Sequence, residues 1–206
     1  MTAGKVRIIA GAWRGRLIKV IDSPGLRPTA DRTRETLFNC LGQRVDDLIC
    51  LDMFAGTGAL SFEALSRGAQ KVTMIDASKP AHDALKENYQ NLAKDGALGV
   101  AEFIKGNAIT SASKLAENSI DICFIDPPFS ETNLFLDALK QAVRITKKND
   151  GCTIYMEHPK TINPEKLLKE IPEYGDFWEI RRTIRSGVAI GTLMAPKIIK
   201  VGSGWE

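Results

Sequence analysis

Apolar runs alternate with helical patterns along the middle of this chain, between residues 48 and 157. The runs lie at 48–54, 71–76, 101–107, 120–126 and 152–157, and most of the intervening segments carry apolar residues at helical spacing. Consecutive parallel strands need a long crossover between them, which a helix provides. The alternation therefore predicts a doubly wound α/β domain, with a mostly parallel sheet and helices on both faces.

Both ends of the chain have a different pattern. Residues 5–21 alternate loosely around GAWRGR, which predicts a small hairpin, and Asp31 is placed to cap a helix that follows it. Near the other end, alternating segments at 178–184 and 188–194 flank Ser186-Gly187, which is typical of a tight turn. These segments predict an antiparallel hairpin added to the edge of the sheet.

Composition limits the class of protein. The chain has 206 residues, of which 44% are hydrophobic and 26% charged, as in one ordinary globular domain. No run approaches the roughly 18 apolar residues of a membrane helix, and the N-terminus does not read as a signal peptide. The four cysteines are far apart and form no CxxC pair, so we expect free thiols, no metal site and a cytoplasmic location.

The basic residues are concentrated near the N-terminus. The formal net charge is +3, but residues 1–44 hold nine Lys or Arg and three Asp or Glu, a net charge of +6, so the rest carries −3. We expect 1–44 to form a basic hairpin-and-helix extension and 45–206 a compact domain. A basic extension on a mildly acidic body favours a polyanionic partner such as nucleic acid, with an ordinary solvated surface as the alternative.

A glycine-rich turn, DMFAGTG at 52–58, follows the first of the central strands. Glycines let a ligand approach the backbone closely at the carboxyl ends of parallel strands, where such sheets bind ligands. Ser61 stands where the dinucleotide-binding pattern has its third glycine, and no phosphate-loop Gly-Lys-Ser/Thr follows. The turn predicts a ligand other than a bare polyphosphate, with a turn kept for packing alone as the alternative.

Two further strand ends carry polar side chains. Asp76 ends the second strand, where a carboxylate can accept hydrogen bonds from both hydroxyls of a ribose. Asn107 ends the third strand and has the donor and the acceptor that an adenine edge requires. A solvated or structural polar residue is the alternative for each. Taken together, the three strand ends predict a pocket for an adenosine-containing ligand.

The fourth strand ends in Asp126-Pro127-Pro128-Phe129. The two prolines donate no N–H and fix their own φ, so they end the strand and make a stiff turn. An exocyclic amine of a nucleobase is a poor nucleophile, because its lone pair is delocalised into the ring. Asp126 and the Pro127 carbonyl can accept its two hydrogens and free that lone pair, while Phe129 offers a stacking face. A turn kept only for its shape is the alternative.

The motifs DMFAGTG and DPPF together resemble those of the S-adenosylmethionine-dependent amino-methyltransferases, which act on exocyclic amines of adenine, guanine or cytosine. The segments RIIAGAWRGR, LRPTADRTRETLFN and LDMFAGTGALSFEALSRGA narrow the resemblance to the RsmD-type guanine-N2 methyltransferases of bacterial small-subunit ribosomal RNA. It runs from about residue 7 to the C-terminal hairpin. It implies a Rossmann-like methyltransferase fold, S-adenosyl-L-methionine as cofactor, and methyl transfer to the N2 amine of one guanine.

Site residues follow from the resemblance by position. The implied cofactor-binding residues are Asp52, Phe54, Ala55, Gly56, Thr57, Gly58, Asp76, Asn107 and Ala108. The residues implied to hold the target base are Asp126, Pro127, Pro128 and Phe129. The family more often has Glu at the ribose position and Asp at the adenine position, so Asp76 and Asn107 depart from its pattern.

We expect the basic extension to bind RNA. We also expect the protein to act as a monomer. The candidate phosphate contacts are Arg14, Arg16, Arg27 and Arg32. Trp13, in the same segment, is either a stacking platform for a base or a packing residue, and packing is favoured. The residues whose roles the sequence leaves open are Arg34, Glu35, Glu157 and His158.

Three other functions fit parts of the pattern. An adenine-N6 methyltransferase acting on DNA or another RNA would also use DPPF. A nicotinamide-dependent oxidoreductase would use a glycine-rich turn, but the missing third glycine and the presence of DPPF count against it. A catalytically silent RNA-binding or assembly factor would use the basic extension alone. The guanine-N2 methyltransferase is favoured because it accounts for all of these features.

Overall fold

The structure is a computed structural model and describes residues 4–20, 31–96 and 98–197. In that part of the chain the strands and helices are, in order, β1 (Lys5–Arg7), β2 (Leu17–Lys19), α1 (Asp31–Cys40), β3 (Ile49–Asp52), α2 (Ala59–Ser66), β4 (Lys71–Asp76), α3 (Lys79–Leu92), β5 (Val100–Lys105), α4 (Ala108–Ala112), β6 (Ile122–Ile125), α5 (Asn133–Ile145), β7 (Thr153–Pro159), α6 (Pro164–Lys169), β8 (Trp178–Ser186) and β9 (Ala189–Pro196).

Strands β3 to β9 form one seven-stranded sheet within the described residues, in the order β5-β4-β3-β6-β7-β9-β8. Strands β3 to β7 pair in parallel, whereas β9 pairs antiparallel with both β7 and β8. The chain moves outward from β3 to β5 and then returns to β6 beside β3. The topological switch point, where such sheets bind ligands, therefore lies between β3 and β6. The predicted fold is confirmed, including the C-terminal hairpin and the small β1–β2 hairpin.

Each face of the sheet has its own apolar core, because side chains alternate along a strand. Phe124 and Tyr155 belong to one core, which the β1–β2 hairpin and helices α1 to α3 complete. The next residues along, Ile125 and Met156, belong to the other core, under α4, α5 and α6. Continued alternation directs residues 126 and 157 to the first face, the one that the N-terminal hairpin covers.

Polar caps start several of the helices. The Ser78 hydroxyl accepts a hydrogen bond from Ala81 N ahead of α3, and the side chains of Asn107 and Asn163 do the same ahead of α4 and α6. Helices α4 and α6 have five and six residues and were not predicted. Segments this short do not contain enough turns to show a helical period.

The N-terminal hairpin is fixed to α2 by hydrogen bonds to two buried side chains, Glu63 and Ser66. The carboxylate of Glu63, which is fully buried, accepts from Ile9 N at 2.9 Å and from Ala10 N at 3.0 Å. The Ser66 hydroxyl donates to Ala10 O and accepts from Trp13 N. Trp13 is only 4% exposed, so it is the packing residue that the sequence favours. The hairpin therefore has a fixed position on the helix that follows the glycine-rich turn.

Candidate active site

A cavity of about 510 Å³ lies at the carboxyl ends of the parallel strands, across the switch point between β3 and β6. Its lining includes nearly all of the residues predicted to bind a cofactor or a base: Asp52, Phe54, Ala55, Gly56, Thr57, Asp76, Asn107, Ala108, Asp126, Pro127, Pro128 and Phe129. Gly58 is the predicted residue outside this lining. Segments far apart in the sequence thus meet in one space, as the strand ends predict.

The glycine-rich turn curves round the cavity and is held from the next strand. Gly56 N donates to the Asp76 carboxylate at 2.9 Å, which ties the turn to the end of β4. Gly58 has a φ of +78°, and a Cβ there would lie 2.5 Å from the Phe62 ring and 2.6 Å from Leu85. Both the backbone conformation and the close packing therefore require glycine at position 58.

Asp52, at the end of β3, is a buried carboxylate with one oxygen unpaired. Its Oδ2 accepts from the Ser61 hydroxyl at 2.6 Å, while Oδ1 is buried with no hydrogen-bond partner. Burial raises the pKa of Asp52 to about 6, although the hydrogen bonds from Ser61 and Phe54 N oppose that rise. A cationic donor in the cavity would satisfy Oδ1 and favour the charged carboxylate, which is what the ammonium of a bound amino acid supplies.

Asp76 and Asn107 stand on the next two strand ends. The two oxygens of Asp76 accept from Gly56 N and Ser78 N, and each oxygen has a second lone pair for a ribose hydroxyl. The Asn107 carbonyl caps α4 by accepting from Thr110 N at 3.1 Å. This capping role uses the acceptor of Asn107, so its contact with an adenine edge would use the amide N–H₂ group.

The Asp126–Phe129 corner borders the same cavity from the β6 side. Asp126 is half-buried, Pro127 is buried and Pro128 is exposed. The corner turns back on itself, because Glu131 N donates to Pro128 O at 3.0 Å. The Phe129 ring packs against Phe135 of α5, with ring centroids 6.4 Å apart. The corner is thus rigid and borders the cavity that the cofactor residues line.

Glu157 is a cavity-lining residue to which the sequence assigned no role. It lies on β7, is 8% exposed, and accepts a hydrogen bond from the Tyr155 hydroxyl at 3.2 Å. Like Asp126, Glu157 is an acidic residue after a run of apolar strand residues, and this pattern in the sequence could have identified it as a candidate site residue. His158 instead links strands: its ring nitrogens bond to Pro159 O and to the Thr192 hydroxyl, and burial lowers its pKa.

The predicted RNA contacts differ in their surroundings. Arg14 and Arg32 are exposed, while Arg27 lies outside the described residues. The Arg16 guanidinium donates to the carbonyls at the end of α3, reaching Asn91 O at 2.6 Å. Arg34 is fully buried and donates to the Arg7 carbonyl and to Asp31, so it joins α1 to the hairpin.

Neither a membrane-spanning helix nor a metal-binding cluster is found among the described residues. Among the described residues, no helix combines the length and apolar character needed to cross a bilayer. The same part of the chain contains no group of three or more His, Cys, Asp or Glu side chains placed to share a metal ion. The four cysteines are free thiols, as predicted, and burial raises the pKa of Cys50 and Cys123.

Asp52, Asp76 and Asn107, which were predicted to face the amino-acid, ribose and adenine parts of a cofactor, line this one cavity. S-adenosylmethionine has these three parts, and the Asp126–Phe129 corner borders the same cavity. The fold and the site therefore define an S-adenosylmethionine-dependent methyltransferase of the Rossmann-like class.

Comparison with known proteins gives the family within this class. Residues 6–183 match the family model described as "Conserved hypothetical protein 95", so the chain belongs to that family. A Haemophilus influenzae relative named "Ribosomal RNA small subunit methyltransferase D" is 42% identical over 178 residues, or 81% of this chain and 88% of the relative. The protein of the same name from Escherichia coli strain K12 is 42% identical over 161 residues, 75% of each chain. The predicted resemblance to the RsmD-type enzymes is confirmed.

Solved structures agree with this assignment. The structure of yhhF from Escherichia coli is 34% identical, covers 94% of this chain and 99% of its own, and superposes with a TM-score of 0.75. A Haemophilus influenzae structure at 32% identity covers 93% and 98%, with a TM-score of 0.71. The likeness therefore extends over almost the whole chain.

Proposed function

We propose that this protein transfers a methyl group from S-adenosylmethionine to the exocyclic N2 amine of one guanine in small-subunit ribosomal RNA. The observation that carries the proposal is that Asp126 and Pro127 line the same cavity as Asp52 and Asp76. A base held at the corner would therefore lie next to the methionine part of the cofactor. The RNA substrate is suggested by the relatives named "Ribosomal RNA small subunit methyltransferase D".

The cofactor supplies, when bound, a methyl group already activated on a sulfonium. The protein then has to align the amine and accept its proton. Asp126 and the Pro127 carbonyl accept the two N2 hydrogens, which turns the nitrogen lone pair towards the methyl donor. The methylated nitrogen gives up one proton, and the Asp126 carboxylate accepts it. Phe129 holds the base by stacking.

The target guanine has to leave its helix or stack to reach this corner. Asp126 and Glu157 are directed to the face of the sheet that the N-terminal hairpin covers, so RNA bound to that hairpin would approach on the correct side. Arg14 and Arg32, which are exposed, are the proposed phosphate contacts near this face. We further propose that the protein works as a monomer in the cytoplasm, where ribosomal subunits assemble.

Mass spectrometry of ribosomal RNA from cells with and without this protein tests the proposal. We expect one N2-methylguanosine to disappear from the small-subunit RNA and to return with the wild-type gene. A gene encoding Asp126→Ala should not restore it, which separates an enzyme from a silent assembly factor. Loss of an N6-methyladenosine instead would favour the adenine alternative, and an unchanged methylation map would contradict the proposal.

A further inference from the structure

Glu157 lies on β7 and Asp126 directly follows β6, and both residues line the cavity. Strands β6 and β7 are parallel, and their register pairs Phe124 with Tyr155 and Ile125 with Met156. Continued one residue past the end of β6, this register would place Asp126 beside Glu157. Adjacent strands lie about 4.8 Å apart, so the two carboxylates approach the same small region of the cavity. Both residues line it.

The Glu157 side chain is held in place from below. It is 8% exposed, and the Tyr155 hydroxyl donates to its Oε2 at 3.2 Å. Tyr155 is fully buried, and burial together with Glu157 and Asp126 raises its pKa, so the hydroxyl keeps the proton that it donates. Gly191 makes room for it, because a Cβ at that position would lie 2.5 Å from the Tyr155 oxygen. This support fixes the Glu157 side chain at the wall of the cavity.

The edges of the nucleobases show what such a carboxylate would recognise. Guanine presents three N–H hydrogens in a row, one on N1 and two on the N2 amine. Adenine and cytosine present an acceptor nitrogen beside their amine, and a carboxylate facing that nitrogen would be repelled by its lone pair. Asp126 and the Pro127 carbonyl are already assigned to the amine. A second acceptor beside them matches the N1 hydrogen.

We propose that Glu157 is the specificity-determining residue that accepts the N1 hydrogen of the target guanine. This inference rests on the proposed function and adds to it the reason why guanine, rather than adenine, is methylated. Sites built to bond a substrate N–H discriminate strongly against analogues that lack it, because the lone pair of the analogue then faces the acceptor. Glu157 thereby excludes adenine and cytosine even though the corner itself would accept their amines.

Two RNA substrates that differ at the target base test the inference. One carries guanosine at the position mapped in cells, and the other carries 2-aminopurine, which keeps the 2-amine but has an acceptor at N1. We expect the wild-type protein to methylate the guanosine RNA with a kcat/KM at least about 100-fold higher. In a Glu157→Gln variant the amide can donate to N1 or accept from it, so the preference should fall to less than about tenfold. Glu165→Gln, on the exposed face of α6, is the matched control and should keep the wild-type preference.

The ratio of the two substrates is measured on the same enzyme sample, so a loss of folded protein cancels from it. A Glu157→Gln variant that keeps the 100-fold preference would overturn the role of Glu157 while leaving the guanine-N2 reaction intact. A wild-type protein that methylates both RNAs equally would overturn it without any variant. If the wild-type protein formed no N2-methylguanosine on the guanosine RNA, the proposed function itself would fail, and the role of Glu157 with it.

Discussion

Asp52 gives the most quantitative prediction, because its carboxylate is buried before any cofactor is present. Burial raises its pKa from 3.8 to about 6. At 1.36 kcal/mol per pKa unit, keeping this group charged in the folded protein costs about 3 kcal/mol of unfolding free energy above pH 6. Asp52→Asn removes that cost, so the ligand-free variant should be more stable than the wild type at pH 8, by up to about 3 kcal/mol.

The pH dependence follows from the direction of this shift. Because the folded pKa is the higher one, the folded wild type takes up a proton before the unfolded chain does as the pH falls. The wild type therefore gains stability between pH 6 and pH 4, and the advantage of Asp52→Asn should vanish over that range. Urea unfolding at several pH values measures the difference in unfolding free energy between the variant and the wild type. Asp137→Asn, at an exposed position of α5, is the control, and its difference in stability from the wild type should not change over this pH range.

Asp52→Asn should weaken cofactor binding, although it stabilises the ligand-free protein. If the charged Asp52 oxygen bonds the cofactor ammonium, as we propose, losing this charge-assisted hydrogen bond costs about 1.5–3 kcal/mol, or about 10- to 150-fold in affinity. Calorimetry should find S-adenosylmethionine bound that much more weakly by Asp52→Asn at pH 8. A variant that was destabilised at pH 8 and bound the cofactor normally would refute the role given to this carboxylate.

Three further predictions concern other parts of the molecule. Asp126→Ala should leave cofactor affinity nearly unchanged in calorimetry but slow methyl transfer by about 10²–10⁴, the usual contribution of a positioned proton acceptor. Arg14→Glu should raise the RNA Michaelis constant and reduce its dependence on salt, whereas Lys169→Glu on α6 should not; equal salt slopes would count against the hairpin as RNA surface. Glu63→Gln should lower the unfolding free energy by about 3–5 kcal/mol, because Arg67, bonded to Glu63 at 2.8 Å, would stay buried without its counter-charge. A loss under 1 kcal/mol in urea unfolding would contradict that account.

Much of the site could be predicted from the sequence because its residues lie at strand ends. Asp52, Asp76, Asn107 and Asp126 each follow an apolar run, and parallel strands bring their carboxyl ends to one edge of the sheet. A turn that is determined by its own residues, as at Pro127-Pro128, can be predicted from the sequence alone. These features depend on residues that are neighbours in the chain, so the sequence predicts them.

The remaining features depend on contacts between distant residues. Glu157 follows an apolar strand as Asp126 does, but its place beside Asp126 depends on the register of β6 and β7. Arg16 is a basic residue in a basic segment, and nothing near it in the sequence indicates that it bonds to the carbonyl of Asn91, 75 residues away. Whether Arg16 also contacts RNA stays a prediction.

The identity of the methylated nucleoside tests the central claim most directly. Purified protein is incubated with S-adenosylmethionine carrying a labelled methyl group and with small-subunit ribosomal RNA that lacks the modification. The RNA is then digested to nucleosides and separated by mass. The account predicts the label in N2-methylguanosine at one position, and none with Asp126→Ala. Label in N6-methyladenosine, or equal labelling by the Asp126 variant, would contradict it.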